Sequence, residues 1–260
     1  MHHLHIDRYA GFQSPVHMLE PRLKVIAALA FILMVVLTPD QWFLSYGFYL
    51  LIVMGSMLVS RIPLGYFLKR SVLILPFAVA VSMFIPFSTP GRALLTFSLA
   101  GFPVSLTAEG IERFAALNAK ALVSFGVTFL LVATTRFGDL MWAASRLGMP
   151  AKLVLVISFM YRYLFILLDK AAHMKLARDL RSIRGHRPSL LAASGNIIGA
   201  LFVRSFAHAT TLYDAMLLRG YTGTPVRIMH GHFHTHDFVA TAGFLIVGAA
   251  ACFGGGWYCG

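Results

Sequence analysis

Apolar residues run almost unbroken from Leu23 to Leu37, from Trp42 to Val59, from Ser71 to Phe87 and from Leu117 to Thr135, each run closed by polar, charged or Pro residues. At about 1.5 Å per helical residue, runs of this length cross the hydrocarbon core of a bilayer, with tilt or local thinning accommodating the shorter ones. The pattern therefore predicts four transmembrane helices in the first half. Arg61, Lys69 and Arg70 fill the second connection, whereas the third, from Ser88 to Ala116, sets Arg92 and Arg113 against Glu109 and Glu112. Cytoplasmic loops carry the excess of Lys and Arg, so the N-terminus and the 61–70 loop are expected inside and the neutral third connection outside.

The fifth apolar run, Leu153 to Leu168, is short, has Arg162 at its middle and is flanked by positive segments on both sides. A central Arg costs about 2.5–3.5 kcal/mol on insertion scales, and spanning would put one basic flank outside. The run is expected to lie along the interface or to pack inside protein. Asp237 to Tyr258 reads as the last span, with Gly243, Gly248 and Gly254 to Gly256 allowing close helix packing and Trp257-Tyr258 suiting an interfacial belt. The expected fold is all-α: a polytopic helical membrane protein of about five spans, with amphipathic cytoplasmic helices inserted before the last one. Its regions are 1–135 with four spans, 136–236 cytoplasmic or interfacial, and 237–260 with the C-terminal span.

Helical periodicity in the inserted region is amphipathic. Asp169 to Ile183 sets Lys170, Lys175, Arg178, Arg181 and Arg184 among Ala171, Ala172, Met174, Leu176, Ala177, Leu180 and Ile183, and stops at Gly185 with Pro188 following. A second helix, from about Ser189 to Leu218, carries few charges and stops at Gly220. Both helices thus place an Arg in the last turn and a Gly just after it. One explanation is structural, since Gly takes the left-handed conformation after a helix cap and Arg suits the negative end of the helix dipole. The other is functional: each Arg projects as a planar fork able to grip a carboxylate of a partner.

Composition agrees with a membrane protein. The chain has 260 residues, 58% hydrophobic and only 12% charged, and a mean hydropathy of +0.75, outside the range of soluble domains. The formal charge of +12 fits the positive-inside rule and anionic membrane lipids better than nucleic acid, for which no motif is present. Thirteen of the 22 Lys and Arg residues fall between Arg136 and His236, against four carboxylates. Cys252 and Cys259 sit in the last apolar block and form no disulfide framework. The N-terminal residues, with Asp7, Arg8, Glu20, Arg22 and Lys24 before the first long run, do not resemble a cleaved signal peptide.

The chain has no G-x-x-x-x-G-K-[ST] phosphate loop, no H-E-x-x-H, and no carboxylate in the middle of an expected span. It is read as a non-enzyme without catalytic residues, and ATP-driven work would have to come from other subunits. His230, His232, His234 and His236 alternate, which in an extended chain puts four imidazoles on one side, a weak candidate site for nickel, cobalt, zinc or copper. His2, His3 and His5 form a second group. The competing reading is a solvated loop whose rings sit among headgroups. No metal ligand is assigned with more than this.

The residues also resemble a known family. The stretches Ile6-Asp7-Arg8-Tyr9-Ala10, Ser14-Pro15-Val16-His17-Met18-Leu19-Glu20-Pro21-Arg22-Leu23-Lys24 and Ser158-Phe159-Met160-Tyr161-Arg162-Tyr163, with Arg184-Gly185 and Arg219-Gly220, are similar to the transmembrane T component of energy-coupling factor transporters, most of all its cobalt-transport, CbiQ-type branch. The resemblance implies that two Arg-centred motifs, Ile183-Arg184-Gly185 and Leu218-Arg219-Gly220, dock onto two cytoplasmic ATPase subunits. Where the family often has Ala before the Arg, this chain has Ile183 and Leu218. It also implies a separate substrate-capture membrane protein, no cofactor on this chain, ATP used by the partner subunits, and a multi-pass protein of the cytoplasmic (inner) membrane. The expected function is coupling in an importer of a transition-metal ion, cobalt first and nickel second. The alternative is a stand-alone metal-binding permease built round the His230–His236 cluster.

Overall fold

The computed structural model describes residues 14–99, 102–181, 190–223 and 235–257. In chain order they form α1 (Pro15–Met18), α2 (Pro21–Leu37), α3 (Phe43–Val59), α4 (Leu64–Ser82), α5 (Ile85–Ser88), β1 (Ala93–Leu99), β2 (Phe102–Thr107), α6 (Ala108–Thr134), α7 (Phe137–Arg146), α8 (Ala151–Arg181), α9 (Leu190–Leu218) and α10 (Thr235–Trp257). Proline sets several starts: Pro15, Pro21 and Pro86 occupy the first turns of α1, α2 and α5, and Pro63 is the residue before α4. A first-turn residue has no helical acceptor for its N–H, so Pro loses nothing there.

The all-α class holds, with one addition. The third connection is not a plain loop: β1 and β2 pair antiparallel, with Thr96 opposite Ser105, Phe97 opposite Val104 and an irregularity between Ala93 and Leu95. It leads into α6, which starts at Ala108, nine residues ahead of the apolar run at Leu117. Thr107 makes that early start. Its Oγ1 accepts the N–H of Gly110 at 3.2 Å and donates to the carbonyl of Thr89 at 2.9 Å, satisfying one orphan helix donor and tying the strand end to α5's exit. Gly110 is there because Pro86 is close; a Cβ would stand 2.7 Å from Pro86 Cα and 2.8 Å from its carbonyl oxygen. Since the obstacle is backbone, Gly110→Ala should cost about 1–3 kcal/mol and lower the unfolding temperature of the purified protein. Gly65→Ala, where nothing lies within 4 Å, should leave it unchanged or higher.

The fifth apolar run requires a correction. The expectation of a short piece at Leu153–Leu168, lying along the interface or packed inside protein and separate from an amphipathic helix at 169–183, gives way to the single 31-residue α8, by length and composition able to cross a membrane. No Gly or Pro stands between Ala151 and Arg181. The change at Asp169 alters the surface of the helix without giving the backbone a reason to stop. Leu64–Ser88 and α6 also have spanning length and composition, with 25 and 27 residues. Phe43–Val59 and Thr241–Ala250 are shorter apolar helices.

Two compact units result: described residues 14–143 with 235–257 form the first, and 144–181 with 190–223 the second. In the first, α2, α3, α4, α6 and α10 pack around Phe31, Tyr49, Val53, Met57, Phe67, Val123 and Val127. Phe31 lies edge-on to Tyr49, centroids 5.4 Å apart, and against Phe244 at 5.0 Å. Helix α6 approaches α3 closely at Gly126, where a Cβ would meet Val53 Cγ1 at 2.8 Å. Several buried polar groups find their partners inside the protein, as a bilayer favours. Thr38 Oγ1 donates to the Met34 carbonyl at 2.8 Å, the Tyr46 hydroxyl donates to the carbonyls of Thr38 and Pro39, and Lys120 Nζ pairs with Asp40 Oδ1 at 2.7 Å. In the second unit α8 packs along α9, with Tyr163 edge-on to His208 at 5.4 Å.

Candidate functional site

Of the two expected coupling motifs, Leu218-Arg219-Gly220 falls within the described residues, and Ile183, Arg184 and Gly185 lie outside them. The end of α9 is built by local hydrogen bonds. Gly220 N–H donates to the Leu217 carbonyl at 2.9 Å and Tyr221 N–H to the Met216 carbonyl at 3.0 Å, two of the last-turn acceptors that a helix leaves open. This closure requires a left-handed residue at position 220, and Gly220 has φ +80. A Cβ there would touch nothing within 4 Å, so the backbone angle alone, and no steric limit, calls for glycine.

The same cap recurs at two other helix ends. Gly148, φ +104, closes α7, with Met149 N–H donating to the Ala144 carbonyl at 3.1 Å. Arg61, φ 55, closes α3, with Ile62 N–H donating to the Met57 carbonyl at 3.1 Å. Such a cap is therefore no mark of function by itself. The α9 end differs from these in degree: Leu218 is 90% exposed beside exposed Arg219 and Gly220, against 48% for Leu147 beside exposed Arg146 at the α7 end and 62% for Leu58 near exposed Arg61 at the α3 end. An apolar side chain and a guanidinium stand together on a tip whose backbone is fixed. Along α9 itself Ile198, Phe202, Phe206 and Tyr213 are exposed. The chemistry available is recognition: a bidentate grip on a carboxylate beside a small apolar contact.

His230, His232 and His234 lie outside the described residues, and His236 falls in the first turn of α10. Arg162 is exposed on α8, within its apolar stretch.

A second polar constellation is formed by the run from Ser14 to Lys24. Ser14 Oγ and His17 Nδ1 are 2.7 Å apart, joining the residue before the short α1 to that helix's third residue. Lys24 is buried, and its Nζ donates to the His17 carbonyl at 3.1 Å and the Thr134 carbonyl at 3.3 Å. Thr134 ends α6, so the ammonium sits at the negative end of a long helix. Arg22 Nε lies 3.3 Å from Glu20 Oε1, and the guanidinium stands over the Trp142 ring, 4.1 Å from its centroid. Trp142 and Thr134 were missed as partners because nothing local in the sequence connects them to residues more than a hundred positions earlier. The available signal was the charge on Glu20, Arg22 and Lys24 directly ahead of an apolar run.

The chain is similar in sequence to several known proteins. The family model described as cobalt transport protein, CbiQ, matches residues 12–230. The chain is 30% identical over 260 residues to the energy-coupling factor transporter transmembrane protein EcfT of Bacillus selenitireducens, covering 94% of each. It is 28% identical over 168 residues to the cobalt transport protein CbiQ of Rhodobacter capsulatus, 65% of each. It is also 29% identical over 223 residues to an uncharacterized protein of Methanocaldococcus jannaschii, 84% of this chain and 75% of that one.

Proposed function

The chain belongs to the cobalt transport protein (CbiQ) family and is a multi-pass membrane component of a transporter, and from that premise we propose that it couples cytoplasmic ATPases to the import of a transition-metal ion. Two ATPase subunits bind at Arg184 and Arg219, and a separate substrate-capture membrane protein supplies the metal, cobalt first and nickel second. The chain itself performs no catalysis and holds no cofactor; ATP is used by the partner subunits.

The observation that carries this reading is the α9 tip, where Leu218 is 90% exposed next to an exposed Arg219 on a cap fixed by Gly220. Leu218 is the most exposed large apolar side chain among the described residues, and its pairing with a guanidinium suits cover by a partner that offers both an apolar contact and a carboxylate. Charge supports it: a guanidinium at a fixed tip fits a carboxylate-lined groove on a cytoplasmic subunit.

Affinity capture tests the proposal. A tagged chain solubilised from its native membranes should bring down ATP-binding subunits in stoichiometric amounts, identified by mass spectrometry and by ATP hydrolysis in the eluate. A chain recovered intact but alone, from gently solubilised membranes that contain the ATPases, defeats the reading.

A further inference from the structure

Building on the coupling role above, we infer that Trp142 and Arg22 are positioning residues that hold α7 rigid where the chain passes from one compact unit to the other, and so set how much transport each ATP yields. The passage lies inside α7: Ala143 is the last residue of the first unit and Ala144 the first residue of the second. The other passage, between 230 and 231, lies outside the described residues. Among the described residues α7 is the stretch of chain that joins the two units, the path along which a pull at Arg219 would reach the first.

Helix α7 suits this role only if its base is fixed. It has ten residues, begins with Asp139 and Leu140 N–H groups donating to the Arg136 carbonyl at 2.9 and 3.0 Å, and closes on Gly148. Met141, Trp142 and Ala143 are buried. The α6–α7 corner is held from both sides by the first turn of α2. Lys24 grips the Thr134 carbonyl on the α6 side, 3.3 Å away, and Arg22 stacks on Trp142 on the α7 side, 4.1 Å from the ring centroid. Glu20, 5% exposed and 3.3 Å from Arg22 Nε, orients the guanidinium. A cation on an aromatic face is attracted most strongly when both are shielded from water, and the flat guanidinium keeps the stack planar. With that stack lost, α7 pivots on its base and motion at the tip is spent within the corner.

The readout is uptake per ATP in vesicles holding the complete transporter, with the cobalt ion alone as transported probe. Trp142→Leu keeps an apolar side chain and removes the ring; it should retain the ATPases and their hydrolysis within about twofold while uptake per ATP falls at least about tenfold. Trp142→Phe keeps an aromatic face for Arg22 and should recover most of the ratio. The double variant Arg22→Met/Trp142→Leu should be no worse than the worse of the two single changes, since both remove the same stack. A normal ratio in Trp142→Leu, a Phe variant as defective as Leu, or additive losses in the double variant would each overturn the inference. Should Trp142→Leu fail to accumulate, Arg22→Met is read by the same ratio. Arg219→Glu in the same vesicles separates the two ideas. If it keeps wild-type uptake, the coupling role falls and takes the role of the Arg22–Trp142 stack with it; if it abolishes uptake while Trp142→Leu is normal, the role of the stack alone falls.

Discussion

Replacing the arginines of both proposed docking motifs, Arg184→Glu and Arg219→Glu, is expected to abolish ATP-driven uptake while the protein still accumulates in the membrane at wild-type levels. Arg219 stands exposed on the α9 cap, where its side chain contributes little to the fold, so the substitution reports on a partner and not on stability. Removing one member of a buried, hydrogen-bonded charge pair at an interface costs about 2–5 kcal/mol, or about 30- to 5,000-fold in affinity, much of it from the carboxylate left unpaired. A Glu adds repulsion to that loss. Arg219→Lys should fall between, because Lys keeps the charge but not the fork. Arg178 provides the comparison: its Nη2 already pairs with the neighbouring Asp179 at 2.7 Å, with both side chains partly exposed, and such pairs contribute about 0–1 kcal/mol. Arg178→Gln should therefore leave uptake near normal. The paired measurement is ATPase retention on the captured complex together with uptake in vesicles. Wild-type uptake by the double Glu variant sinks the coupling assignment, and equal losses at positions 178 and 219 would show that only bulk positive charge matters.

Phe31→Ala should be the most damaging single truncation in the first unit. Phe31 is 0% exposed and sits where α2, α3 and α10 meet, edge-on to Tyr49, against Phe244, and close enough to α10 that a Cβ on Gly248 would stand 3.0 Å from its ring. Deleting a buried phenyl from a soluble core costs about 3–5 kcal/mol. In a bilayer the transfer part of that cost diminishes, since lipid chains are as apolar as the core, and the lost contacts and the cavity remain. The expected loss is about 3 kcal/mol, at the lower end of that range. It would be read as a fall in the temperature at which the detergent-solubilised protein leaves its monodisperse peak. Phe31→Leu should cost much less, and Leu29→Ala, on the same helix but 57% exposed, almost nothing. A Phe31→Ala protein as heat-resistant as wild type would mean that α10 does not depend on this contact.

The contrast between Phe31 and Leu29 marks where the sequence stops being informative. Hydropathy alone identifies a helical membrane protein, because a bilayer requires long apolar helices whatever their neighbours. Sequence also marks helix ends that rest on local bonding: the left-handed residue at Gly220 and the acceptors at Met216 and Leu217 are within one turn of Arg219, so a Gly after an apolar helix already marks a closed cap. The hairpin over residues 93–107 and the continuity of α8 were harder to read, since the first depends on strand pairing and the second on a change of polarity that breaks no backbone bond.

Only the tertiary structure decided which apolar side chains face protein. Lipid and protein interior are equally apolar, so Phe31 at 0% and Leu33 at 58% exposure look alike in a hydropathy pattern, unlike core and surface residues of a protein in water. The polar contacts that determine helix placement are long-range for the same reason. Lys120 reaches Asp40 across 80 positions, Lys24 reaches Thr134 across 110, and Arg22 finds Trp142. No periodicity records these pairings, because each exists only once packed helices bring its two ends to one corner of the fold.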